Sequence, residues 1–189
     1  MIRCFICLEL PREIRDLIDS HATAILRKTG ARCSTVRADN LHLTLKFLGD
    51  IEEGRIDKLS RALEGAFENA IGNAGAFSLS LENIGSFGGK SPRVVWIGLG
   101  GETARLSALA DSIDKAFAVH GFEREKRPFK PHLTIARVRE GAEVEALSKA
   151  IREVRLPRRE FTAERLILMK STLSPTGSIY EPLAKFVIK

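Results

Sequence analysis

Two tetrapeptides of this chain are nearly identical, HLTL at residues 42–45 and HLTI at residues 132–135. They lie ninety positions apart and contain two of the four histidines in the sequence. Each belongs to a stretch in which apolar and polar residues alternate, which is the pattern of a half-buried β-strand. In such a strand the histidine and the threonine two positions later share a face. The repeat therefore predicts two strands that each present a histidine and a threonine together.

Strict alternation also predicts which side chains of the two motif strands are buried. In the first strand the buried face is expected to carry Leu41, Leu43, Leu45 and Phe47, and the open face His42, Thr44 and Lys46. In the second strand the buried face is expected to carry Leu133 and Ile135, and the open face His132 and Thr134. By the same alternation, Arg137 points away from His132.

The segments around the two motifs follow the same order. The first half is predicted to contain a strand in IRCFICLEL, a helix from Pro11 to Gly30, the first motif strand, a helix to about residue 71, and a strand at 77–84. The second half is predicted to contain a strand at 94–100, a helix at 102–119, the second motif strand at 132–138, a helix from Glu143 to Val154, and strands at 164–173 and 179–188. A shift of ninety positions overlays the two halves and predicts an internal duplication.

The predicted fold class is α+β, in a single domain over residues 1–189 made of two pseudo-symmetric lobes. Each lobe is expected to contain a small, largely antiparallel sheet with helices on its outer face. A pseudo-twofold axis would make the two open sheet faces meet across a central cleft. Four side chains would converge there, namely His42, Thr44, His132 and Thr134.

Composition limits the setting and the partners of such a domain. The chain has 189 residues with a net charge of +6, which favours anionic partners. Basic residues are concentrated in segment 124–130, close to the second motif. We expect no membrane span, because no apolar run approaches the ~20 residues required. The N-terminus turns acidic and helical too early for a signal peptide, so we expect a cytoplasmic protein.

The cysteines resemble a redox or metal motif only superficially. Cys4 and Cys7 have C-x-x-C spacing, but within a strand these two positions point to opposite faces. No second Cys/His pair at zinc spacing accompanies them, and three cysteines exclude a full disulfide framework. We interpret Cys4 and Cys7 as core residues.

The paired motifs indicate acid–base chemistry on a phosphate. A histidine donates or accepts a proton near neutral pH, and two of them can act in concert. The threonine hydroxyls can donate hydrogen bonds to anionic oxygens beside the imidazoles. One histidine would activate a nucleophile and the other would protonate the leaving oxygen. Such a reaction needs neither a metal nor another cofactor.

The stretches LHLTLKFLG and KPHLTIARV resemble the paired H-x-T-x signatures of the 2H phosphoesterases. The flanking stretches RCFICLEL, SPRVVWIGL and LMKSTLSPTGSIYEPLAKF are similar to those of the RNA 2′,3′-cyclic phosphodiesterases, once described as 2′-5′ RNA ligases. The resemblance implies metal-independent hydrolysis of a 2′,3′-cyclic phosphate at an RNA end to a 2′-phosphomonoester.

The resemblance also implies a role for each motif residue. His42 would be the general acid, His132 the general base, and Thr44 and Thr134 ligands of the non-bridging oxygens. Arg137 would help to hold the phosphate, which conflicts with its predicted place on the opposite face of the strand.

Three alternatives remain open from the sequence. The first is making or cleaving 2′-5′ linkages in RNA, and the second is hydrolysis of small cyclic nucleotides. The third is a non-catalytic module that binds RNA ends, which predicts salt-dependent binding without a product. In each case we expect a monomer without an obligate protein partner.

Overall fold

The computed structural model describes residues 1–28, 33–72, 75–89, 91–139, 144–175 and 177–188. Within these ranges the strands are β1 (Ile2–Glu9), β2 (Cys33–Thr35), β3 (His42–Ile51), β4 (Phe77–Phe87), β5 (Val94–Gly101), β6 (His132–Val138), β7 (Glu160–Ala163), β8 (Arg165–Ser174) and β9 (Gly177–Val187). The α-helices are α1 (Arg12–Ile18), α2 (Ala24–Lys28), α3 (Ile56–Ile71), α4 (Thr103–Ala118) and α5 (Val144–Glu153).

Shorter helical segments join some of these elements. A π-helical turn, Asp19–Thr23, links α1 to α2, and a 3-10 turn, Ala38–Asn40, precedes β3. The predicted helix end at Gly30 and the predicted helix start at Glu143 lie outside the described residues. Of the helices in the described ranges, none has both the length and the apolar character that a membrane crossing requires.

The strands form two antiparallel sheets, as the sequence predicts. The first sheet has the order β3-β1-β8-β9, and the second has the order β2-β6-β5-β4-β7. Every neighbouring pair in both sheets is antiparallel. The α+β fold class is therefore confirmed.

The two sheets do not coincide with the two halves of the chain. The first sheet takes β1 and β3 from the first half but β8 and β9 from the second, whereas β4 of the first half lies in the second sheet. β4, the last long strand of the first half, therefore lies in the same sheet as the second motif strand, β6. β9, the last long strand of the second half, lies in the same sheet as the first motif strand, β3. The internal duplication and the single-domain organisation stay predictions.

The main core lies between the helices and one face of each sheet. Its members include Ile6 and Leu8 of β1, Leu43 of β3, Leu59 and Leu63 of α3, Leu109 and Phe117 of α4, and Leu133 and Ile135 of β6. A second, small cluster covers the opposite face of the first sheet and consists of Phe5, Cys7 and Ile167, with Met169 and Tyr180 packed against it. Phe5 and Tyr180 of this second cluster contact the ring of His42, in the first motif.

The cysteines of the C-x-x-C pair lie on opposite faces of β1, as predicted. Cys4 belongs to the main core and Cys7 to the small cluster, and both thiols are free. Burial raises the pKa of Cys4 to about 11 and raises the pKa of Cys7 further. Both thiols are therefore protonated at neutral pH and act as apolar side chains.

Candidate active site

A β-bulge interrupts the alternation of the first motif strand. Thr44 pairs with Cys7 of β1 and Lys46 pairs with Ile6, so that Leu45 is an extra residue in β3. As a result Leu45 and Lys46 are both buried, and Phe47 returns to the face that carries His42 and Thr44. Phe47 is 61% exposed. The predicted positions of Phe47 in the core and of Lys46 on the open face are wrong for this reason.

The second motif strand has the same bulge at the matching position. Thr134 pairs with Trp96 of β5 and Ala136 pairs with Val95, which leaves Ile135 as the extra residue. Ile135 and Ala136 are buried, and Arg137 emerges on the open side of the strand. The bulge therefore corrects the alternation-based prediction that Arg137 points away from His132. It also places Arg137 ninety positions after Phe47, at the equivalent point of the other strand.

The two motif strands lie next to each other although they belong to different sheets. β3 is an edge strand of the first sheet, and its Cα atoms come within 8 Å of those of β6. Burial is the main cause that lowers the pKa of His42, on β3, and the positive charge of Arg137, on β6, lowers it further. The two motif strands are therefore neighbours, with Arg137 of one strand near His42 of the other.

Each motif histidine is held through the same ring nitrogen. Nδ1 of His42 lies 2.7 Å from the carbonyl oxygen of Asn40, and Nδ1 of His132 lies 2.7 Å from that of Lys130. Because a carbonyl oxygen only accepts hydrogen bonds, Nδ1 must carry the proton in both rings. In the neutral state this leaves the lone pair on Nε2. Both histidines are therefore prepared to exchange a proton through Nε2.

The turn whose Asn40 carbonyl orients His42 is itself anchored by side-chain hydrogen bonds. The side-chain Nδ2 of Asn40 donates to the backbone oxygen of Ser178, in β9, at 2.7 Å. The guanidinium of Arg37 donates to the same oxygen at 2.9 Å. These bonds attach the turn before β3 to the β8–β9 hairpin and so restrict the orientation of the His42 ring.

Aromatic rings enclose His42. Its ring centroid lies 4.7 Å from that of Phe5 and 5.3 Å from that of Tyr180, which meets it edge-on. Burial lowers the pKa of His42, the hydrogen bond to the Asn40 carbonyl offsets part of this effect, and the charge of Arg137 lowers the pKa further, to about 4. His42 is therefore neutral at pH 7 in this structure.

Fewer aromatic rings surround His132. The ring of Phe87 meets it at 90° with a centroid distance of 5.1 Å, and Phe87 in turn contacts Trp96 at 5.2 Å. The Trp96 indole lies directly over Gly85 of β4, where a Cβ atom would overlap the ring. Glycine at this position therefore allows the Phe87–Trp96 pair to lie against the strand beside His132.

Some of the basic residues of segment 124–130 are engaged in ion pairs. In segment 124–130, Arg124 pairs with Asp111 and Asp114, and Lys126 pairs with Glu123. Arg127 and Lys130 are exposed. In the described part of the chain, no group of three or more His, Cys, Asp and Glu side chains is arranged to hold a metal ion.

Sequence reasoning missed the residues that orient and surround the histidines. Asn40 and Lys130 act through backbone oxygens, which any residue type provides, so composition contains no signal for them. Phe5, Tyr180 and Phe87 come from other strands and reach the site only through the sheet pairing. The β6 bulge did have a signal, since strict alternation would bury the Arg137 guanidinium beside Leu133 and Ile135 without a counter-charge.

Comparisons with known proteins agree with this geometry. A sequence model of the 2′-5′ RNA ligase superfamily matches residues 11–174. The chain is 33% identical over 183 residues to the RNA 2′,3′-cyclic phosphodiesterase of Thermotoga maritima, covering 96% of this chain and 93% of the relative. It is 35% identical over 136 residues to the RNA 2′,3′-cyclic phosphodiesterase of Escherichia coli, covering 71% of each.

Solved structures show the same fold. The structure of Escherichia coli LigT complexed with 3′-AMP superposes with a TM-score of 0.74 at 27% identity, covering 99% of this chain and 98% of that one. The same protein complexed with phosphate superposes with a TM-score of 0.70 at 26% identity, covering 99% and 97%.

Proposed function

Because the chain belongs to the 2′-5′ RNA ligase superfamily, we propose that it hydrolyses 2′,3′-cyclic phosphate ends of RNA to 2′-phosphomonoesters. The reaction would use two histidines and no metal ion. Relatives named RNA 2′,3′-cyclic phosphodiesterase, at 30% to 35% identity, support the choice of substrate. The net charge of +6 suits an anionic RNA end.

One observation carries the proposal, namely the matched construction of the two motif strands. Both strands bind the histidine Nδ1 to a backbone carbonyl at 2.7 Å, and both are bulged one residue after the threonine. The bulge in β6 brings Arg137 to the same side as the motif threonine. Two imidazoles with available Nε2 atoms, two hydroxyls and a guanidinium form a suitable set of groups for one phosphate.

The chemistry follows from this set of groups. The histidine that acts as base removes a proton from water through Nε2, and the water oxygen bonds to phosphorus. The bond from phosphorus to O3′ breaks, and the other histidine donates a proton to O3′, which leaves the phosphate on O2′. Hydroxyls of Thr44 and Thr134 and the guanidinium of Arg137 would stabilise the charge on the non-bridging oxygens.

We assign the acid role to His42 and the base role to His132, as the family resemblance implies. At pH 7 an acid must hold a proton, whereas the pKa of His42 is lowered to about 4 in this structure. A phosphate anion beside the ring would favour the charged imidazolium and offset the charge of Arg137. The assignment therefore requires His42 to take up a proton when the phosphate binds.

Product mapping tests the function. An oligoribonucleotide that ends in a 2′,3′-cyclic phosphate should yield only the 2′-phosphate, with the same rate in EDTA. Parallel reactions on a 2′-5′-linked dinucleotide and on a nucleoside 2′,3′-cyclic phosphate would rank the alternative substrates. Salt-dependent binding of the RNA without any product would contradict catalysis and indicate a binding module.

Calorimetry tests which histidine is the acid and which is the base. A nucleoside 2′,3′-cyclic phosphate is titrated at pH 7 into the His132→Ala variant, which should hydrolyse it slowly, in two buffers that differ in ionisation enthalpy. The acid role of His42 predicts uptake of close to one proton on binding, and the double variant His42→Gln with His132→Ala should lose this uptake. Binding without proton uptake would reverse the assignment and make His42 the base.

We also propose that the protein acts as a monomer in the cytoplasm on RNA ends, without an obligate protein partner. Light scattering during turnover would test the oligomeric state. A dimer as the active species would overturn that part of the proposal.

A further inference from the structure

Lys46 is a buried lysine in the first motif strand. It is 3% exposed, and its Nζ donates to Oδ1 of Asp114 at 2.6 Å and to the backbone oxygen of Glu123 at 3.0 Å. The β3 bulge causes this burial, because it turns Lys46 inward directly after the extra residue Leu45. The Lys46 ammonium therefore connects the motif bulge to α4 and to the segment after α4.

Asp114 collects further bonds from that segment. Its carboxylate accepts from Nε of Arg124 at 3.1 Å and from the backbone N–H of Glu125 at 3.2 Å. Burial opposes ionisation of Asp114, but the bonds from Lys46, Arg124 and Glu125 outweigh it and lower the pKa of the carboxyl. The Asp114 carboxyl is therefore ionised at neutral pH, and both of its oxygens accept hydrogen bonds.

The equivalent position of the other motif strand carries no charge. Ninety residues after Lys46, Ala136 occupies the same inward position next to the extra residue of the β6 bulge. Burying an ion pair is costly, and apolar replacements of such pairs are often neutral or stabilising. The Lys46–Asp114 pair is therefore poorly explained by stability alone.

The segment that the pair anchors leads to the second motif. Residues 123–125 are fixed by Lys46 and Asp114, and five residues later the backbone oxygen of Lys130 accepts the Nδ1 proton of His132. Between them, Phe129 packs against the main core. The pair thus joins the bulge that shapes the first motif to the chain that orients the second histidine.

We propose that Lys46 and Asp114 are positioning residues for catalysis, which hold the His132 approach segment against the bulged first motif strand. The proposal rests on the two-histidine function proposed above. Neither residue touches the phosphate in this arrangement, since both side chains point into the core. Their loss should change how His132 is oriented without changing the groups that bind the phosphate.

The main variant replaces the ion pair by an apolar pair, Lys46→Met with Asp114→Leu. The matched control is Lys149→Met with Glu153→Leu, which makes the same change in an exposed pair on α5. We expect the main variant to fold and its kcat to fall by about tenfold to hundredfold, the cost of a small displacement of a catalytic group. KM should stay within about threefold of wild type, because phosphate binding is preserved. The control should match wild type.

Nitrogen NMR of the histidine rings separates positioning from a general loss of structure. In the wild type, His132 should show a protonated Nδ1 and an unprotonated Nε2 in the neutral state. In the main variant its two nitrogen shifts should move toward each other, as in a ring that exchanges tautomers, while the protein melts cooperatively. An unchanged kcat would overturn the proposal, as would a loss of kcat with an unaltered His132 spectrum.

A second comparison applies if the apolar pair prevents folding. Arg124→Gln removes one exposed ligand of Asp114, whereas Lys126→Gln removes a neighbouring exposed cation that pairs with Glu123 instead. With a short cyclic-phosphate oligonucleotide, Arg124→Gln should lower kcat about threefold relative to Lys126→Gln. Equal kcat values would overturn the proposal. A wild type without hydrolysis would instead refute the proposed function, and the His132 spectrum would still test the positioning.

Discussion

The strands β3 and β6 share a backbone design but hold their histidines in different surroundings. Both are bulged at the last residue of the H-x-T-x motif, and both bind the histidine Nδ1 to a carbonyl two residues earlier. On β3 the ring lies between Phe5 and Tyr180, whereas on β6 it meets the edge of Phe87. The repeated backbone orients the two imidazoles in the same way, and the unlike neighbours give each a different environment.

The side chains just beyond the bulges differ as well. Position 47 is an exposed phenylalanine and position 137 an exposed arginine, while the inward positions 46 and 136 carry lysine and alanine. One strand therefore carries an exposed cation beside its motif, and the other contributes a cation to the core. This difference would allow the two strands the opposite proton transfers that the proposed mechanism requires.

Removing either histidine should have the largest effect. His42→Ala and His132→Ala should each lower kcat on a cyclic-phosphate RNA by ~10²–10⁴-fold, the usual contribution of general acid–base catalysis. The control His21→Ala changes an exposed histidine of the π-helical turn and should leave kcat unchanged. If one motif variant kept more than a tenth of the activity, the two strands would not be equal partners in catalysis.

Arg137 and Phe47, the residues after the two bulges, should differ in their contribution to kcat/KM. Arg137→Gln should lower kcat/KM by ~10–100-fold, because a hydrogen bond to a charged group is lost. The equivalent change on the other strand, Phe47→Leu, should cost less than tenfold, since it removes no charge. Equal losses in the two variants, measured by initial rates on the same RNA, would contradict the asymmetry between the strands.

Thr44 and Thr134 should contribute more equally to catalysis than Phe47 and Arg137, the residues after the bulges. Thr44→Val and Thr134→Val keep the side-chain shape and remove one hydroxyl each, so each should lower kcat by about tenfold. Thr162→Val, on an exposed position of β7, is the matched control. A tenfold difference between the two motif variants would show that one strand binds most of the phosphate charge.

The smallest expected effect is on how the free energy of unfolding depends on pH. The pKa of His42 is lowered from 6.5 to about 4 on folding, so the unfolded chain binds the proton first as the pH falls. The free energy of unfolding should therefore decrease between pH 6.5 and pH 4, by about 1–3 kcal/mol from this group. Urea unfolding of His42→Gln should show a weaker pH dependence in that window, and Thr44→Val should keep the wild-type dependence. Parallel slopes for wild type and His42→Gln would contradict the enclosed environment of His42.

The sequence was sufficient to predict the two motif strands, the shared face of each His–Thr pair and the two antiparallel sheets. Alternation failed after residues 44 and 134, where each bulge adds one inward residue. At Arg137 the error could be recognised in advance, because alternation would bury a charged side chain. At Lys46 and Phe47 it could not, because alternation exposes the lysine and buries the phenylalanine, as their hydrophobicity favours. The β3 bulge turns Lys46 inward, and Asp114, distant in sequence, supplies the opposite charge there.

The central claim is that His42 and His132 act on a single phosphate. Titration of inorganic phosphate into protein with nitrogen-15-labelled histidines, followed by ring-nitrogen NMR at pH 7, tests this claim without relying on turnover. The signals of His42 and His132 should shift together along one binding curve, while those of His21 and His120 stay unchanged. A response from only one motif histidine, or two separate binding curves, would contradict a shared phosphate site.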